Sequence, residues 1–407
     1  MIPNLIPRFS VILLLAALVL FACSPDQTPA STPPTAPPAT PVPAASPAPE
    51  LVEGLADEPP PAGAQSEFKT DFSKHTVPYS EILSGGPPKD GIPAIDTPQY
   101  ASVSEADEWL APVEPVVLVR VGAEARAYPI QILMWHEIVN DTLNGKPLLV
   151  TFCPLCNTAI AFERVFEGQT FDFGTTGRLR YSNLIMYDRQ TETWWQQATG
   201  DAIAGEYAGA QLPFYPASIV SWADFKATYP TGTVLSRETG FSRNYGRNPY
   251  LGYDDVSQSP FLYRGQPTPG QLVPMARVLT LDLGGEAAAY PYDILSSLGA
   301  VNDTVGGQRV VVFWVEGTAS ALDSAQIPEG RDVGATVAYS AEVDGQTLTF
   351  ELVNGVFHDQ ETASEWDIFG RAISGKLQGA QLTELPAINH FWFSWAAFRP
   401  ETRVYAP

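Results

Sequence analysis

The feature of this sequence that most constrains its fold is an internal repeat at a fixed spacing. The segment EARAYPIQILMWHEIVNDTLNGKPLLVTFCP aligns with EAAAYPYDILSSLGAVNDTVGGQRVVVFWVE, and Tyr128 and Tyr290 stand 162 residues apart, as do Asn140 and Asn302. Downstream, FEGQTFDF matches VDGQTLTF and SWADFKATYP matches SWAAFRP. Self-similarity at one spacing indicates repeated structural units. We therefore expect two tandem copies of one unit, at about residues 113–236 and 274–405.

Local patterns predict the structure of each copy. PVVLVRV and EARAY flank Gly122 and are typical of a β-hairpin, and IQILMWHEIV after Pro129 predicts a short buried helix. KPLLVTF predicts a buried strand, and NTAIAFERVFEGQTFDFG predicts another hairpin with its tip at Glu167 and Gly168. The expected fold class is α+β, with mainly antiparallel sheets, few short helices and the two copies packed together.

The N-terminus predicts export and a lipid anchor. Residues 1–22 carry one basic residue, Arg8, and an apolar run too short for a transmembrane helix, as in a signal peptide. Leu20-Phe21-Ala22-Cys23 resembles a bacterial lipobox, which makes Cys23 the lipidation site; the alternative is an ordinary signal peptide. Residues 23–67 are rich in Pro, Ala and Thr and predict a disordered tether. We expect a lipid-anchored or secreted protein that works outside the cytoplasm.

The remaining chain divides into three parts. Residues 68–236 form the first copy, with a candidate site, and residues 274–407 form the second. Between them, residues 237–273 are rich in Tyr, Asn, Gly and Pro, and hold too many aromatic residues for a free linker. We expect an ordered, irregular loop that crosses both copies and lines a cleft.

The charge of the chain excludes some partners. The formal net charge is −22, from 45 acidic and 23 basic residues. Binding to nucleic acid needs a basic surface, so a nucleic-acid partner is not expected. The predicted membrane partner acts only through the N-terminal lipid, and the sequence does not identify a small-molecule or protein partner.

The second copy serves as an internal control for the first. Residues that occur in only one copy are not required by a fold that both copies share. Four reactive residues of the first copy have unreactive counterparts in the second: His136, Glu137, Cys153 and Cys156 correspond to Leu298, Gly299, Val315 and Thr318. We therefore expect a functional site in the first copy and a degenerate second copy that supports it.

Cys153 and Cys156 leave four chemical hypotheses open. With His136 and Met186 they make a soft ligand set that favours copper, whereas Glu137 or Asp188 in place of Met186 would suit zinc. The pair is also consistent with thiol–disulfide chemistry. A structural disulfide is the third reading. A cysteine nucleophile with His136 as its base is the fourth.

Other polar residues near these positions are candidates for ligand binding. The first copy is longer than the second within GTTGRLRYSN, and an enlarged loop beside unique residues suggests a site. The ligand-binding candidates are Arg178, Arg180, Asn183, Arg189 and Trp194. His358 and His390 belong to the second copy, which lacks cysteines, so we expect both to be structural.

Long motifs of the chain resemble a known bacterial family. ARAYPIQILMWHEIVNDTLNGKPLLVTFCPLCNTAIAF, GRLRYSNLIMYDRQTETWWQQ, YGRNPYLGYDD and HFWFSWAAFRPETRVY are similar to the family catalogued as domain of unknown function 3179. The resemblance covers nearly everything after residue 70. It implies an envelope or secreted protein, often a lipoprotein, and names no reaction.

Three function hypotheses follow. The leading one is a tethered extracytoplasmic protein with a Cys-x-x-Cys plus His site, for copper or zinc or for thiol redox chemistry. The second is a non-catalytic binding module whose aromatic cleft holds a small ligand while the cysteines form a disulfide. The third is a hydrolase or transferase that uses Cys153 or Cys156 as nucleophile.

Overall fold

The computed structural model describes residues 58–266 and 270–407. The predicted signal peptide, the lipidation site Cys23 and the tether up to residue 57 lie outside these residues. From residue 58 the chain takes part in the fold: Glu58 accepts hydrogen bonds from the backbone N–H groups of Tyr79 (2.7 Å) and Ser80 (2.8 Å). The last ten residues of the predicted tether, 58–67, thus belong to the described fold, and the Glu58 side chain caps a 3-10 turn.

Most of the regular structure is β-strand. The strands before the central loop are β1 (Ile82–Ser84), β2 (Tyr100–Ser102), β3 (Pro115–Val121), β4 (Glu124–Pro129), β5 (Ile138–Leu143), β6 (Lys146–Cys153), β7 (Thr158–Glu163), β8 (Val165–Phe166), β9 (Gln169–Thr170), β10 (Phe173–Arg180), β11 (Asn183–Asp188), β12 (Trp194–Gln196), β13 (Ala202–Ala204), β14 (Phe214–Tyr215), β15 (Ser218–Ser221) and β16 (Thr233–Leu235). The strands after it are β17 (Arg277–Leu283), β18 (Glu286–Pro291), β19 (Ala300–Val305), β20 (Gln308–Val315), β21 (Ala335–Ser340), β22 (Glu342–Val343), β23 (Gln346–Thr347), β24 (Phe350–Val353), β25 (Val356–Asp359), β26 (Glu365–Trp366), β27 (Ala372–Ser374), β28 (Ile388–Phe391) and β29 (Arg403–Val404).

The helices are few and short. They are α1 (Ala64–Glu67), α2 (Val103–Ala106), α3 (Ile130–His136), α4 (Trp222–Thr228), α5 (Tyr292–Leu298) and α6 (Trp392–Ala396), with 3-10 turns at Tyr79–Glu81, Pro154–Cys156 and Ile327–Glu329. Within the described ranges, none of these helices has the length and apolarity that crossing a bilayer requires.

The strands assemble mainly into antiparallel sheets. The first half contains the orders β15-β3-β4-β16-β2, β14-β7-β6-β5 and β1-β10-β11-β12-β13. The second half contains β28-β17-β18-β29, β19-β20-β21 and β24-β25-β26-β27. Parallel strand pairs occur between β16 and β4 and between β18 and β29. The predicted mainly antiparallel architecture with few short helices is confirmed.

Five consecutive elements of the first half have counterparts of equal length in the second half. β3, β4, α3, β5 and β6 are followed 162 residues later by β17, β18, α5, β19 and β20 of equal lengths. Both halves also use one tyrosine–aspartate bond between matching elements: Tyr128 donates to Asp141 (2.5 Å) and Tyr290 donates to Asp303 (2.9 Å). The two halves share a core as well, because Val116 and Trp222 pack in one buried cluster with Phe313 and other second-half residues.

Helix α3 ends earlier than the sequence predicts. The apolar pattern predicted a helix through Val139, but the helix ends at His136 and Ile138 begins strand β5. Glu137 adopts a left-handed conformation, with φ 58°, which terminates a helix. The apolar run therefore serves two elements, and its end becomes the first residues of a buried strand.

The described part of the central loop contacts both halves. The hydroxyl of Tyr245 lies 2.6 Å from His136 Nε2 in the first half. The buried Asp254 carboxylate pairs with Arg277 (2.6 Å) and Arg331 (2.9 Å) in the second half. Burial would raise the pKa of Asp254, but these cations and the Ser320 hydroxyl outweigh it and lower the pKa. The loop is therefore anchored to the second half by an ionised buried carboxylate.

Candidate functional site

The two cysteines lie on a tight connection between adjacent strands. Strand β6 ends at Cys153, Pro154–Cys156 forms a 3-10 turn, and β7 begins at Thr158. Asn157 closes the turn in the left-handed region, with φ 50°. This strand–turn–strand context agrees with the sequence analysis and differs from the helix that follows a glutaredoxin-type motif. Both cysteines are free thiols, 2% and 0% exposed.

The surroundings of Cys156 favour a protonated thiol. Burial raises the pKa of Cys156 well above its usual value, and the neighbouring Cys153 raises it further. The Cys156 Sγ lies 3.5 Å from the carbonyl oxygen of Ser182, and the Ser394 hydroxyl acts in the opposite direction on the pKa. In its resting state this thiol is therefore a weak nucleophile.

A histidine from the far end of the chain reaches this connection. The Thr158 Oγ1 lies 2.9 Å from His390 Nδ1 and 3.1 Å from the Cys156 carbonyl oxygen. Ser394 Oγ lies 3.4 Å from the same Nδ1 and donates to Asn183 Oδ1 (2.7 Å). The Thr158 hydroxyl can donate its proton to the Cys156 carbonyl, and the Ser394 hydroxyl donates its proton to Asn183. Both hydroxyl oxygens are then acceptors towards His390, so the proton of the neutral ring is best placed on Nδ1.

That tautomer leaves His390 Nε2 as an unprotonated acceptor. Nε2 is buried and has no hydrogen-bond partner within the described part of the chain. Burial lowers the pKa of His390 to about 3, so the ring is neutral near neutral pH. The second half therefore contributes a neutral imidazole to the polar shell around the thiols, and the expectation that His390 is structural stays a prediction.

A cleft opens above the cysteine connection. Its volume is about 600 Å³, within the usual range for small-molecule sites. Residues of the first half and of the central loop line it: Gly85, Pro87, Ile92, Glu137, Leu155, Thr175, Gly177, Arg178, Leu179, Leu184, Pro249, Tyr250, Leu251, Gly252, Tyr253, Gln258, Ser259 and Phe261. Leu155, between the two cysteines, belongs to this lining. Residues of the central loop thus form part of this lining, and the rest of the lining comes from the first half.

Glu137 is the carboxyl group of the cleft. Its backbone oxygen accepts a hydrogen bond from Phe152 N (2.8 Å), so Glu137 lies beside the residue that precedes Cys153. Burial raises the pKa of Glu137 to about 8. After burial, the charges of Glu137 and Cys153 are the next causes that raise the pKa of Tyr250. The carboxyl, the Cys153 thiol and the phenol therefore share one low-dielectric environment.

His136 bonds to Pro93 and to the central loop rather than to the cysteines. Its Nδ1 is 2.8 Å from the Pro93 carbonyl oxygen and its Nε2 is 2.6 Å from the Tyr245 hydroxyl. Burial lowers its pKa, against the effect of the Pro93 bond. Among the described residues, no three His, Cys, Asp or Glu side chains are placed to hold one metal ion. The structure therefore does not gather His136, Cys153 and Cys156 as a ready three-ligand set.

Of the other predicted ligands, one lies with the cysteines. Met186 is fully buried in the same apolar cluster as Cys153 and Cys156. Asp188 instead accepts a hydrogen bond from Trp195 Nε1 (2.9 Å) and bonds to Thr191. The same constellation recurs at Asp359, Trp366 and Thr362. It occurs where no cysteines are present, so it serves the scaffold.

Some of the predicted ligand-binding residues lie at the cleft or in the polar shell, and others do not. Arg178 lines the cleft and pairs with Glu67 (3.0 Å), and its buried Nε lacks a partner in the described chain. Asn183 belongs to the polar shell through Ser394. Arg180, in contrast, pairs with Glu81 (2.7 Å).

Arg189 and Trp194 take part in packing away from the thiols. Arg189 forms ion pairs with Asp90 (3.1 Å) and Asp96 (3.2 Å). Trp194 is fully buried and packs edge-on against Phe68 and Phe72. Its absence from the second half therefore reflects an N-terminal segment that packs only on the first half.

Fold and site together define a class: a strand-rich protein with two similar halves, a buried dithiol and an apolar cleft above it. A family model, described as a protein of unknown function, DUF3179, matches residues 89–402. The chain belongs to this family. No curated protein and no solved structure matches the chain.

Proposed function

We propose that the chain is a thiol–disulfide redox protein that cycles between a Cys153–Cys156 dithiol and its disulfide. The observation that supports it best is the shared environment of Cys153 and Glu137, whose pKa is raised to about 8. A carboxyl group with a pKa near 8 loses and regains its proton close to neutral pH, which suits Glu137 to relay the protons that the dithiol releases.

The oxidation balances within the site. One thiol loses its proton and reacts with an oxidant, and the other thiolate then attacks the first sulfur to form the S–S bond. Two electrons pass to the oxidant, and the two thiol protons pass by way of Glu137 to the reduced product or to solvent. Cys153 and Cys156 flank a two-residue turn, a spacing at which active-site disulfides form.

The test is a redox titration of the full chain. The protein is equilibrated in buffers of defined thiol–disulfide ratio, and free thiols are counted by alkylation and mass. We expect one reversible two-electron transition that Cys153→Ser and Cys156→Ser each abolish. A dithiol that becomes oxidised only after the protein unfolds would contradict the proposal.

A soft-metal site is the second candidate. The cluster of Cys153, Cys156 and Met186 supports it, because two thiolates and a thioether suit Cu(I) better than zinc. The test is a copper titration of the reduced protein, in which Met186→Leu should weaken binding about tenfold or more. Equal affinity in that variant, or no binding, would remove this candidate.

We also propose the cellular setting and the origin of the fold. The sequence supports an exported lipoprotein anchored through Cys23, and metabolic labelling with a fatty acid in wild type and Cys23→Ala tests it. The equal spacing of elements in both halves supports a duplication, after which the second half lost the reactive residues.

A further inference from the structure

We propose that the oxidant of the dithiol is a small, uncharged two-electron acceptor of the quinone class, which enters the cleft above Leu155. This inference rests on the proposed redox function and adds the substrate class to it. It is carried by four features of the cleft: access, charge, an unpaired donor and an apolar rim.

Access favours a small molecule over another polypeptide as the direct partner. Cys153 is 2% exposed and Cys156 is fully buried, so a disulfide on a protein surface has no line of approach to either sulfur. Neither cysteine lines the cleft of about 600 Å³, but Leu155, which lies between them in the turn, does, so this turn separates a molecule in the cleft from the sulfurs. The cleft admits a molecule of one or two rings. Such a molecule would reach Cys153 after a local movement of the turn at Leu155, which is a smaller displacement than a polypeptide would need.

The charges of the cleft favour a neutral molecule. Apart from its tyrosines, its ionisable lining residues are Glu137 and Arg178. Glu137 is uncharged below a pKa of about 8, and Arg178 is already paired with Glu67 at 3.0 Å. No charge remains to compensate an ionic ligand such as glutathione disulfide, and burial of an unpaired charge is costly.

One buried donor in the lining lacks an acceptor. Arg178 is 4% exposed, and its Nε–H has no hydrogen-bond partner in the described chain. A buried N–H without an acceptor is rare in proteins. A quinone oxygen would accept this bond, and the bond would strengthen as the oxygen gains negative charge during reduction.

The rim suits a ligand that partitions into apolar surroundings. Leu251 is 66% exposed and Phe261 is 52% exposed, and both line the opening of the cleft. Tyr250 and Tyr253 add aromatic surface to the lining, and, in addition to burial, the charge of Cys153 contributes to raising the pKa of both phenols. Exposed apolar side chains next to a cleft mark a route for an apolar molecule.

The reaction is balanced as follows. The Cys153 thiolate adds its electron pair to a ring carbon of the quinone and forms an S–C bond. The Cys156 thiolate attacks the Cys153 sulfur, the S–S bond forms, and the S–C electron pair returns to the ring. The two protons that left the thiols end on the two oxygens of the quinol, so dithiol plus quinone yields disulfide plus quinol.

The experiment uses the reduced full-length protein without oxygen and tetramethyl-1,4-benzoquinone as probe. Every ring position of this quinone is substituted, so a stable aromatic adduct does not accumulate. We expect one quinol per chain, a loss of both thiols and a mass decrease of two hydrogens. Arg178→Lys keeps the positive charge but lacks Nε, and it should slow the reaction about tenfold.

A matched pair of variants tests the route. Leu251→Glu places a carboxylate at the rim and should slow quinone reduction about tenfold. Val256→Glu adds the same charge at a site that is 58% exposed in the same loop but outside the cleft, and should leave the rate within about twofold.

Glutathione disulfide separates this inference from the redox function. If it oxidises the dithiol faster than the quinone does, the substrate class is overturned and the redox function remains. If neither oxidant closes the disulfide in the folded protein, both fall. Equal slowing by Leu251→Glu and Val256→Glu would also overturn the cleft as the route.

Discussion

Thr158 Oγ1 lies 2.9 Å from His390 Nδ1, a contact between residues that are 232 positions apart. It joins the first residue after the cysteine connection to the last strand before helix α6. The dithiol therefore lies at a junction of the two halves, and the second half supplies part of its polar shell.

Removal of the Thr158 hydroxyl should destabilise the fold and loosen the thiols. Thr158→Val retains the shape of the side chain but leaves the buried His390 Nδ1–H without this acceptor, at a cost of about 1–3 kcal/mol in unfolding free energy. Thr280→Val is the control, because Thr280 is also buried but its hydroxyl donates only to the Ile388 carbonyl (3.1 Å). Urea unfolding and alkylation of Cys156 measure both effects. A larger loss in Thr280→Val would contradict the proposed coupling.

Glu137 should make the protein less stable as the pH rises. The pKa of Glu137 is about 8 in the folded protein, against 4.5 ordinarily. Between these values the folded state holds a proton that the unfolded state has lost, so the unfolding free energy falls as pH increases through that window. Glu137→Gln removes the dependence and should gain about 3–5 kcal/mol relative to wild type at pH 8. Denaturation at pH 5 and pH 8 tests it, and parallel curves for the two proteins would refute it.

The matching aspartates of the two halves, Asp141 and Asp303, should contribute differently to the unfolding free energy. Asp141 is 1% exposed and pairs with Arg126 at 2.7 Å, whereas Asp303 is 17% exposed and pairs with a half-exposed Arg403 at 2.9 Å. Loss of one partner of a buried pair costs about 3–5 kcal/mol, while an exposed pair contributes about 0–1 kcal/mol. Asp141→Asn should therefore lower the unfolding free energy by several times the effect of Asp303→Asn. Similar losses in both variants would mean that burial does not distinguish them.

Release of the central loop should expose the dithiol. Asp254→Asn removes the charge that pairs with Arg277 and Arg331, and we expect alkylation of the cysteines to become faster by about tenfold or more. Asp255→Asn is the matched control, because within the described residues this neighbouring carboxylate accepts hydrogen bonds only from the exposed Ser257. Alkylation kinetics below the unfolding transition measure the difference. Equal rates in the two variants would show that Asp254 does not hold the loop closed.

Local features of the fold could be predicted from the sequence. Hairpin turns, the short helix after Tyr128-Pro129 and the strands around Cys153 follow from periodicity and turn residues, which act over a few positions. The hairpin tip at Glu167 and Gly168 has both residues at positive φ, as the sequence indicates. The repeat also showed that the second half has no counterparts of the two cysteines.

The composition of the site could be predicted only in part. The sequence indicated Cys153, Cys156, Glu137 and Arg178 as site residues. It also suggested His136 as a partner of the thiols, because His136 lies near the cysteines in the sequence. The left-handed turn at Glu137 ends the helix there, and His136 bonds to Pro93 and Tyr245. His390 and Ser394 join through tertiary packing, for which the sequence holds one weak signal: His390 has no histidine counterpart in the first half.

The anchoring of the loop by Asp254 has a consequence for communication within the chain. The segment that roofs the cleft is fastened to Arg277 and Arg331, which lie outside that cleft. A molecule that displaces Tyr250 or Tyr253 would strain the ion pairs of Asp254 with these arginines. Conversely, a change at the arginines would alter the free energy of opening this loop segment. Occupancy of the cleft and the ion pairs in the half without cysteines would then be coupled.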